Sequence, residues 1–313
     1  VQQMLDKAIA YLEAKGGNTD LVGGKCLVGM ALLKAGKDQT HPLVQAAVAS
    51  ARKIAPEFAK TGGLSHCYNE AIACIFLCEV DPAMYAADIR LLVQGMLNRQ
   101  RPGGAWSYQP PSYDDTSQTQ YGVLCCWAAH QAGVEVPARA VENTAQWLMR
   151  VQNLDGGWTY SPMDPGGNQR RNQGQSTHSM AAAGVGSVYI CAHLMGYGAD
   201  AKRAPAKEEK SGLPPALQKI ETEEQKKKRQ LYLQPTNTSG QQLFGSAAGG
   251  NAWFAKNLTY DTKHWTHYYM YAVERYKSFQ ELVEGKVVPD PDWYNAGVAH
   301  LEKTQAADGS WAS

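Results

Sequence analysis

Three copies of the pattern Gln-x-x-x-Gly-x-Trp punctuate this chain, at Gln100/Gly104/Trp106, Gln152/Gly156/Trp158 and Gln305/Gly309/Trp311. The first two glutamines stand 52 positions apart and the third follows after 153, close to three further units. Self-similarity at such a period marks a repeat architecture, in which one unit cannot bury its apolar face alone and must stack on the next. Each copy closes a helical run. Before Gln152, the apolar residues Val141, Ala145, Leu148 and Val151 recur at helical spacing, and Gly156-Gly157 then supplies a left-handed stop. In such a corner the glutamine amide hydrogen-bonds the turn backbone while the indole packs beneath it. The six residues Gln100, Trp106, Gln152, Trp158, Gln305 and Trp311 therefore read as structural, with all three indoles buried.

Two kinds of helix alternate between the corners. One kind carries Ala, Gly, Cys and Ser among its apolar residues: Leu21 to Ala35, His66 to Glu79, Thr116 to Ala132, Thr177 to Met195 and Lys263 to Ser278. The other is longer-chained and charged on one face: Val1 to Ala14, Pro42 to Ile54, Pro82 to Arg99, Pro137 to Val151 and Pro291 to Thr304. Small residues let a helix be surrounded on all sides, whereas a one-sided apolar stripe suits a helix with a wet back. The sequence therefore predicts an inner and an outer layer of helices. Pro42, Pro82, Pro137 and Pro291 sit in the first outer turns, where a missing N–H costs nothing. Capping chemistry at Ser65, Asp115 with Gln118, Ser176 and Asp261 predicts the inner starts. Inner helices in such an alternation run parallel, so their N-termini gather at one mouth.

The rhythm breaks between Gly198 and Pro235, where a charged insertion with Pro214-Pro215 precedes a helical run from Ala216 to Leu231. This region (198–235) reads as a linker followed by a modified outer helix. The Gly- and Ala-rich stretch from Gly240 to Phe254 has no assigned place in the alternation. A formal net charge of +1 over 313 residues gives no reason to expect a nucleic-acid partner. Nothing reads as a transmembrane span or a signal peptide. The chain begins at Val1 inside an apparent helix and stops just past a repeat signature, so residues 1–313 read as one domain trimmed at both ends. Seven cysteines, an odd number without disulfide spacing and without Cys-x-x-Cys, read as small core hydrophobes. The sequence names no compartment.

The three corner signatures, the run Gln152-Asn153-Leu154-Asp155-Gly156-Gly157-Trp158 and the helix start Asp115-Thr116-Ser117-Gln118-Thr119-Gln120-Tyr121 together resemble the squalene-cyclase and prenyltransferase repeat superfamily. The resemblance spans most of the chain from about residue 60, the insertion excepted. It implies an all-α fold, an (α/α) toroid of about six helical hairpins around an apolar cavity that in the enzymes receives an isoprenoid. Class II cyclases of this kind protonate an alkene through Asp-x-Asp-Asp. The matching stretch here, Tyr113-Asp114-Asp115, keeps the last two acids and lacks the first. By resemblance Asp114 would be the proton donor and Asp115 its neighbour, while the rival reading makes Asp115 a helix cap. The chain has residues for one barrel. It also lacks Asp-x-Cys and Gly-Cys-Gly-Glu-Gln, so neither a prenyltransferase zinc nor a thioester is expected, and no cofactor or metal is implied.

Polar and aromatic residues gather at the predicted inner starts: His66 and Tyr68; Tyr113, Gln118 and Tyr121; His178; His264, His267 and Tyr268 beside Trp265. They are the candidate ligand-binding residues, and helix dipoles at the mouth are expected to favour an anionic group. His264 and His267 stand i, i+3, but no third metal ligand is fixed by the sequence. The loop from Ser161 to Gly174, with Arg170-Arg171, reads as a lid or a plain surface loop. The leading expectation is a toroid that binds a hydrophobic small molecule or a protein partner at its central funnel and is not a self-sufficient cyclase. The alternatives are a class II terpene cyclase, or one barrel of a two-barrel enzyme, acting through Asp114, and a polysaccharide-processing toroid.

Overall fold

The computed structural model describes residues 1–63, 65–110, 113–167, 169–199, 232–262 and 264–312, and its regular structure is helical. The exception is an isolated antiparallel bridge between Trp106 and Asp115. The α-helices among the described residues are α1 (Gln2–Lys15), α2 (Val22–Lys34), α3 (Pro42–Thr61), α4 (Tyr68–Val80), α5 (Ala86–Arg99) and α6 (Thr116–Gln131). They continue with α7 (Ala138–Val151), α8 (His178–Leu194), α9 (Gly240–Asn257), α10 (Thr266–Glu284) and α11 (Asp292–Thr304). The chain is all-α, as its periodicity predicts.

Packing follows the two predicted kinds of helix most closely at α6 and α8, whereas α2 and α10, also predicted inner, bury 4 of 13 and 6 of 19 residues. The helices α2, α4, α6, α8 and α10 each lie against the next, while α3 runs along α5. In α6, 13 of 16 residues are buried, and in α8, 15 of 17, so these helices are surrounded on every side. Their Ala, Gly, Cys and Ser content follows from that crowding. The seven cysteines are free thiols, and only Cys78 is less than fully buried. By contrast α1 buries only Met4 and α11 only Gly297.

One hydrogen-bonded geometry recurs at the three corners. Gln100, Gln152 and Gln305 donate through Nε2 to the carbonyl of the glycine four residues on, at 3.1, 2.8 and 3.0 Å. The same amides reach a carbonyl of another helix: Ala140 of α7, Ser246 of α9 and Met4 of α1, each at 2.9 Å. The indole Nε1 groups of Trp106, Trp158 and Trp311 donate to the carbonyl ten positions back, on Met96, Leu148 and Leu301, at 2.8, 3.0 and 2.9 Å. The third corner thereby joins the segment after α11 to α1.

Burial, unlike bonding, is not repeated at every corner. Trp106 and Trp158 lie in the core, as expected, and a Cβ on Gly122 of α6 would stand 2.4 Å from Trp106, one on Gly184 of α8 2.2 Å from Trp158. Those glycines let the two indoles sit flat on the helix that follows each corner. Trp311 corrects the expectation of three buried indoles: it is only half-buried and absent from the core. Trp311 keeps the indole hydrogen bond of the pattern without the burial.

The corners also decide where α6 and α8 begin. Asp115 caps α6 as predicted, accepting from Gln118 N at 2.8 Å. The other starts differ from the sequence reading: Cys67, Thr177 and Trp265 hold the cap positions of α4, α8 and α10 in place of Ser65, Ser176 and Asp261. Trp158 O accepts from Thr177 N at 3.2 Å just as Trp106 O accepts from Asp115 N at 3.0 Å, so the corner fixes Thr177 as the counterpart of Asp115. The Ser176 hydroxyl is engaged elsewhere, donating to Asp155 Oδ1 at 2.8 Å. The stretch without an assigned place is α9. It starts in a capping box between Ser239 and Gln242 and occupies the flank position that the Gln152 corner requires. The charged run 216–231, expected to be that helix, lies outside the described residues.

Entry into α9 hangs on Glu142 of α7, which is 4% exposed. Burial alone would push its carboxyl up, but the N–H groups of Asn237, Thr238 and Thr236 and the Thr236 hydroxyl hold it below the usual 4.5. A carboxylate held below its unfolded value stabilises the fold above about pH 4.5, and that contribution is lost as the pH falls through the lower folded value. Urea titrations of Glu142→Gln at pH 7 are expected to show a loss of about 1–3 kcal/mol, because a neutral amide satisfies fewer of the buried donors. The difference from wild type should narrow below pH 4.5; a pH-independent gap would contradict the assignment. At the corners, Gln152→Ala removes three hydrogen bonds, to the Gly156 and Ser246 carbonyls and from the Ser246 hydroxyl, in a fully buried site. The expected cost is about 2–4 kcal/mol. Gln305→Ala, at the partly exposed corner of Trp311, should cost no more than about 1 kcal/mol. Equal losses in urea unfolding would show that burial does not set the strength of a corner.

Candidate functional site

Where α4, α6 and α10 begin, their first turns line a half-open cavity of about 300 Å³. Its walls are Tyr68 and Ile72 of α4, Ser117 and Tyr121 of α6, Tyr268 of α10, and Tyr108, Tyr160 and Trp265 from the turns that precede deep helices. Tyr108 and Tyr160 occupy equivalent places, each two residues after a corner tryptophan, in Trp106-Ser107-Tyr108 and Trp158-Thr159-Tyr160. The corner that fixes the helix end therefore also aims a tyrosine at the cavity.

Hydroxyl pairing locks the rings. Tyr68 Oη lies 2.6 Å from Ser117 Oγ and 3.1 Å from Tyr108 Oη, Tyr268 donates to Gln120 Oε1 at 2.8 Å, and Tyr160 Oη lies 3.3 Å from Ser179 Oγ. Ser117 Oγ in turn donates to Asp115 Oδ1. Burial pushes the Asp115 carboxyl above its usual 3.8, against the Ser117 hydroxyl and the Gln118 and Ser117 N–H groups. The phenols of Tyr68, Tyr121 and Tyr268 are pushed up for the same reason, chiefly by burial. Among the described residues no Lys, Arg or His lines this cavity, and the Gln118 amide in the first turn of α6 is taken by Asp115. The anion-friendly rim expected from helix dipoles is not what the walls provide.

The structure brings Tyr68, Tyr121 and Tyr268 together and distributes the remaining candidates elsewhere. Gln118 is fully buried and accepts from Cys67 N at 2.9 Å, tying α6 to the start of α4. Tyr113 is 70% exposed and lines no part of the cavity. His178 Nε2 lies 2.9 Å from Asn257 O, its ring edge-on to Trp253 and Tyr269, which locks α8 to α9 and α10. His264 and His267 are exposed, and among the described residues no three His, Cys, Asp or Glu side chains converge as a metal site. His66 lies 5.1 Å from Tyr68 at a 36° tilt but faces a second, more polar cleft of about 580 Å³ with Lys25, Lys53, Glu57 and Glu70. Burial, then the nearby Arg99, hold its imidazole below the usual 6.5.

Asp114 is committed away from the cavity. Its Oδ1 pairs with Arg101 Nε at 2.8 Å and its Oδ2 accepts from Trp147 Nε1 at 2.8 Å. Asp115 has Thr177 as its counterpart at the next corner, a cap without a carboxyl group. The loop from 161 to 174 is folded back on the end of α7: Asp164 accepts twice from Arg150, at 2.9 and 2.6 Å, and Arg170 Nε donates to Met149 O at 3.2 Å. Gln173 closes the loop on itself through the N–H and carbonyl of Met163.

The sequence reading missed Tyr108, Ser117, Tyr160 and Ile72. The two tyrosines were legible as a repeated Trp-x-Tyr; Ser117 and Ile72 carry no signal beyond helical position. The chain matches no family model, no curated protein and no solved structure. Among the described residues no helix is long and apolar enough to cross a membrane.

Among the described residues, Trp265 is the non-glycine position with a left-handed backbone, φ 58°, and its indole is 71% exposed at the cavity rim. A left-handed conformation costs an L side chain roughly 1–2 kcal/mol, and such strain persists where surrounding structure imposes it. Trp265→Gly is therefore expected to raise stability by about 1 kcal/mol in urea unfolding. A destabilised variant would show that the indole contributes more to packing than its exposure implies.

Proposed function

We propose that this chain is an (α/α) toroid of the squalene-cyclase and prenyltransferase-repeat type that binds a small hydrophobic ligand at the gathered starts of its inner helices and is not a self-sufficient cyclase. Support for the ring comes from the third corner, which carries the bond pattern of the first two onto α1. The observation that carries the binding reading is the tyrosine-walled cavity between α4, α6 and α10. At about 300 Å³ it offers the space of roughly ten water molecules, taking ~30 Å³ for each. Ligand sites of this volume lie at the small end of the usual range.

Asp114 supports the non-cyclase reading. Protonating an alkene requires a carboxylic acid that keeps its proton and faces an apolar substrate. Asp114 instead bonds a guanidinium and an indole N–H, outside the cavity lining. Incubation with squalene and with geranylgeranyl diphosphate, followed by mass spectrometry, is expected to give no cyclised product. Cyclised product that disappears in Asp114→Asn would establish the cyclase alternative and overturn this reading.

A further inference from the structure

We infer that the tyrosine cavity selects a small quaternary ammonium compound, its trimethylammonium head held among the ring faces; this rests on the reading of the cavity as a ligand site. The rings stand as non-parallel walls. Tyr68 meets Tyr121 at 5.1 Å and 76°, and Tyr108 at 6.3 Å and 80°, while Tyr268 lies 6.3 Å from Tyr121 at a 36° tilt. Tyr68 touches Tyr121 edge to face, and a ligand in the space the rings border meets aromatic carbon from several directions. The Tyr68, Tyr108, Tyr160 and Tyr268 hydroxyls are tied to one another or to Ser117, Ser179 and Gln120, which leaves π surface as the main chemistry those four rings offer.

Aromatic faces carry the negative part of the ring quadrupole and attract a cation within about 6 Å of the centroid. Among the described residues no basic side chain lines the cavity, so no resident cation competes for those faces. The buried carboxylate of Asp115 lies one hydroxyl behind the wall, through Ser117. Arg275, stacked beyond on Tyr271 at 5.0 Å, is paired with Glu274 at 3.0 Å, so its charge is offset. An anion finds no cationic partner among these walls, and a neutral group gains only from area. A weakly hydrated, apolar-surfaced cation gains from both area and charge. The strained Trp265 adds a sixth ring at the rim, where a left-handed backbone without a packing return points to a role in binding.

The test is isothermal titration of the full chain with choline and with 3,3-dimethyl-1-butanol, its neutral carbon isostere. Choline is expected to bind roughly threefold to thirtyfold more tightly, the range that a cation–π term of this size produces. Trp265→Gly, which should remain folded, is expected to weaken choline binding while changing the isostere far less. Co-sedimentation with phosphatidylcholine vesicles separates the sources of the head group: vesicle binding abolished by Tyr108→Leu points to a lipid, and choline binding without it points to a free solute. Equal affinity for choline and the isostere overturns the charge selection and leaves the cavity as a hydrophobic site. Failure of both to bind overturns the ligand site as well.

Discussion

A side-chain amide with no water to fall back on sets the spacing of this molecule. Gln152 is fully buried, so its Nε2 and Oε1 must find protein partners, and they find the Gly156 carbonyl in their own turn and the Ser246 carbonyl and hydroxyl on α9. One group thereby joins a turn within a repeat to a helix of the following repeat. The glycine is needed for the same reason: at φ 93°, a Cβ on Gly156 would stand 2.3 Å from Gly249 O. Close backbone approach, a left-handed turn and a satisfied amide are one constraint seen from three sides.

That constraint reaches the cavity through two residues of chain. With the Trp106 and Trp158 indoles seated on Gly122 and Gly184, Tyr108 and Tyr160 are carried to the starts of the deep helices. The Trp106 and Trp158 carbonyls also receive the N–H groups of Asp115 and Thr177, which set the first residue of α6 and of α8. Structural cement and candidate site are consequently continuous: the corner that closes one hairpin aims the ring that walls the site. Asp115 belongs to the cement in this arrangement. It caps a helix, its counterpart Thr177 caps the next, and only its hydroxyl relay through Ser117 brings its charge near the cavity.

Two features of the chain follow no repeat rule. α10 starts at a tryptophan in a left-handed conformation, not at a serine or aspartate cap, and that tryptophan stands at the rim. α9 reaches its flank position through a segment pinned by Glu142, whose carboxylate collects three consecutive backbone donors. Both are local departures from the pattern of the other corners and caps.

Periodicity and the Gln-x-x-x-Gly-x-Trp spacing by themselves determined that the chain is helical, where most helices lie, and that α6 and α8 are surrounded. Those properties depend on residue size and on a 3.6-residue repeat, both local. While α4 and α10 begin at Cys67 and Trp265, which make no side-chain cap, the start of α8 was decided by tertiary structure, because the Trp158 carbonyl selects Thr177 over the neighbouring Ser176. The same holds for α9, whose Gly and Ala content disguises it until the Gln152 amide requires a helix there. Burial at the corners is a tertiary property too: Trp311 carries the same motif as Trp106 and Trp158, yet its ring is covered only as far as neighbouring helices reach it. Of the candidate site residues, Tyr68, Tyr121 and Tyr268 converge while His178, Tyr113 and the His264/His267 pair do not. Sequence fixes that a residue stands near a helix start, but which way its side chain points depends on the rotation of that helix against its neighbours, and only packing sets that angle.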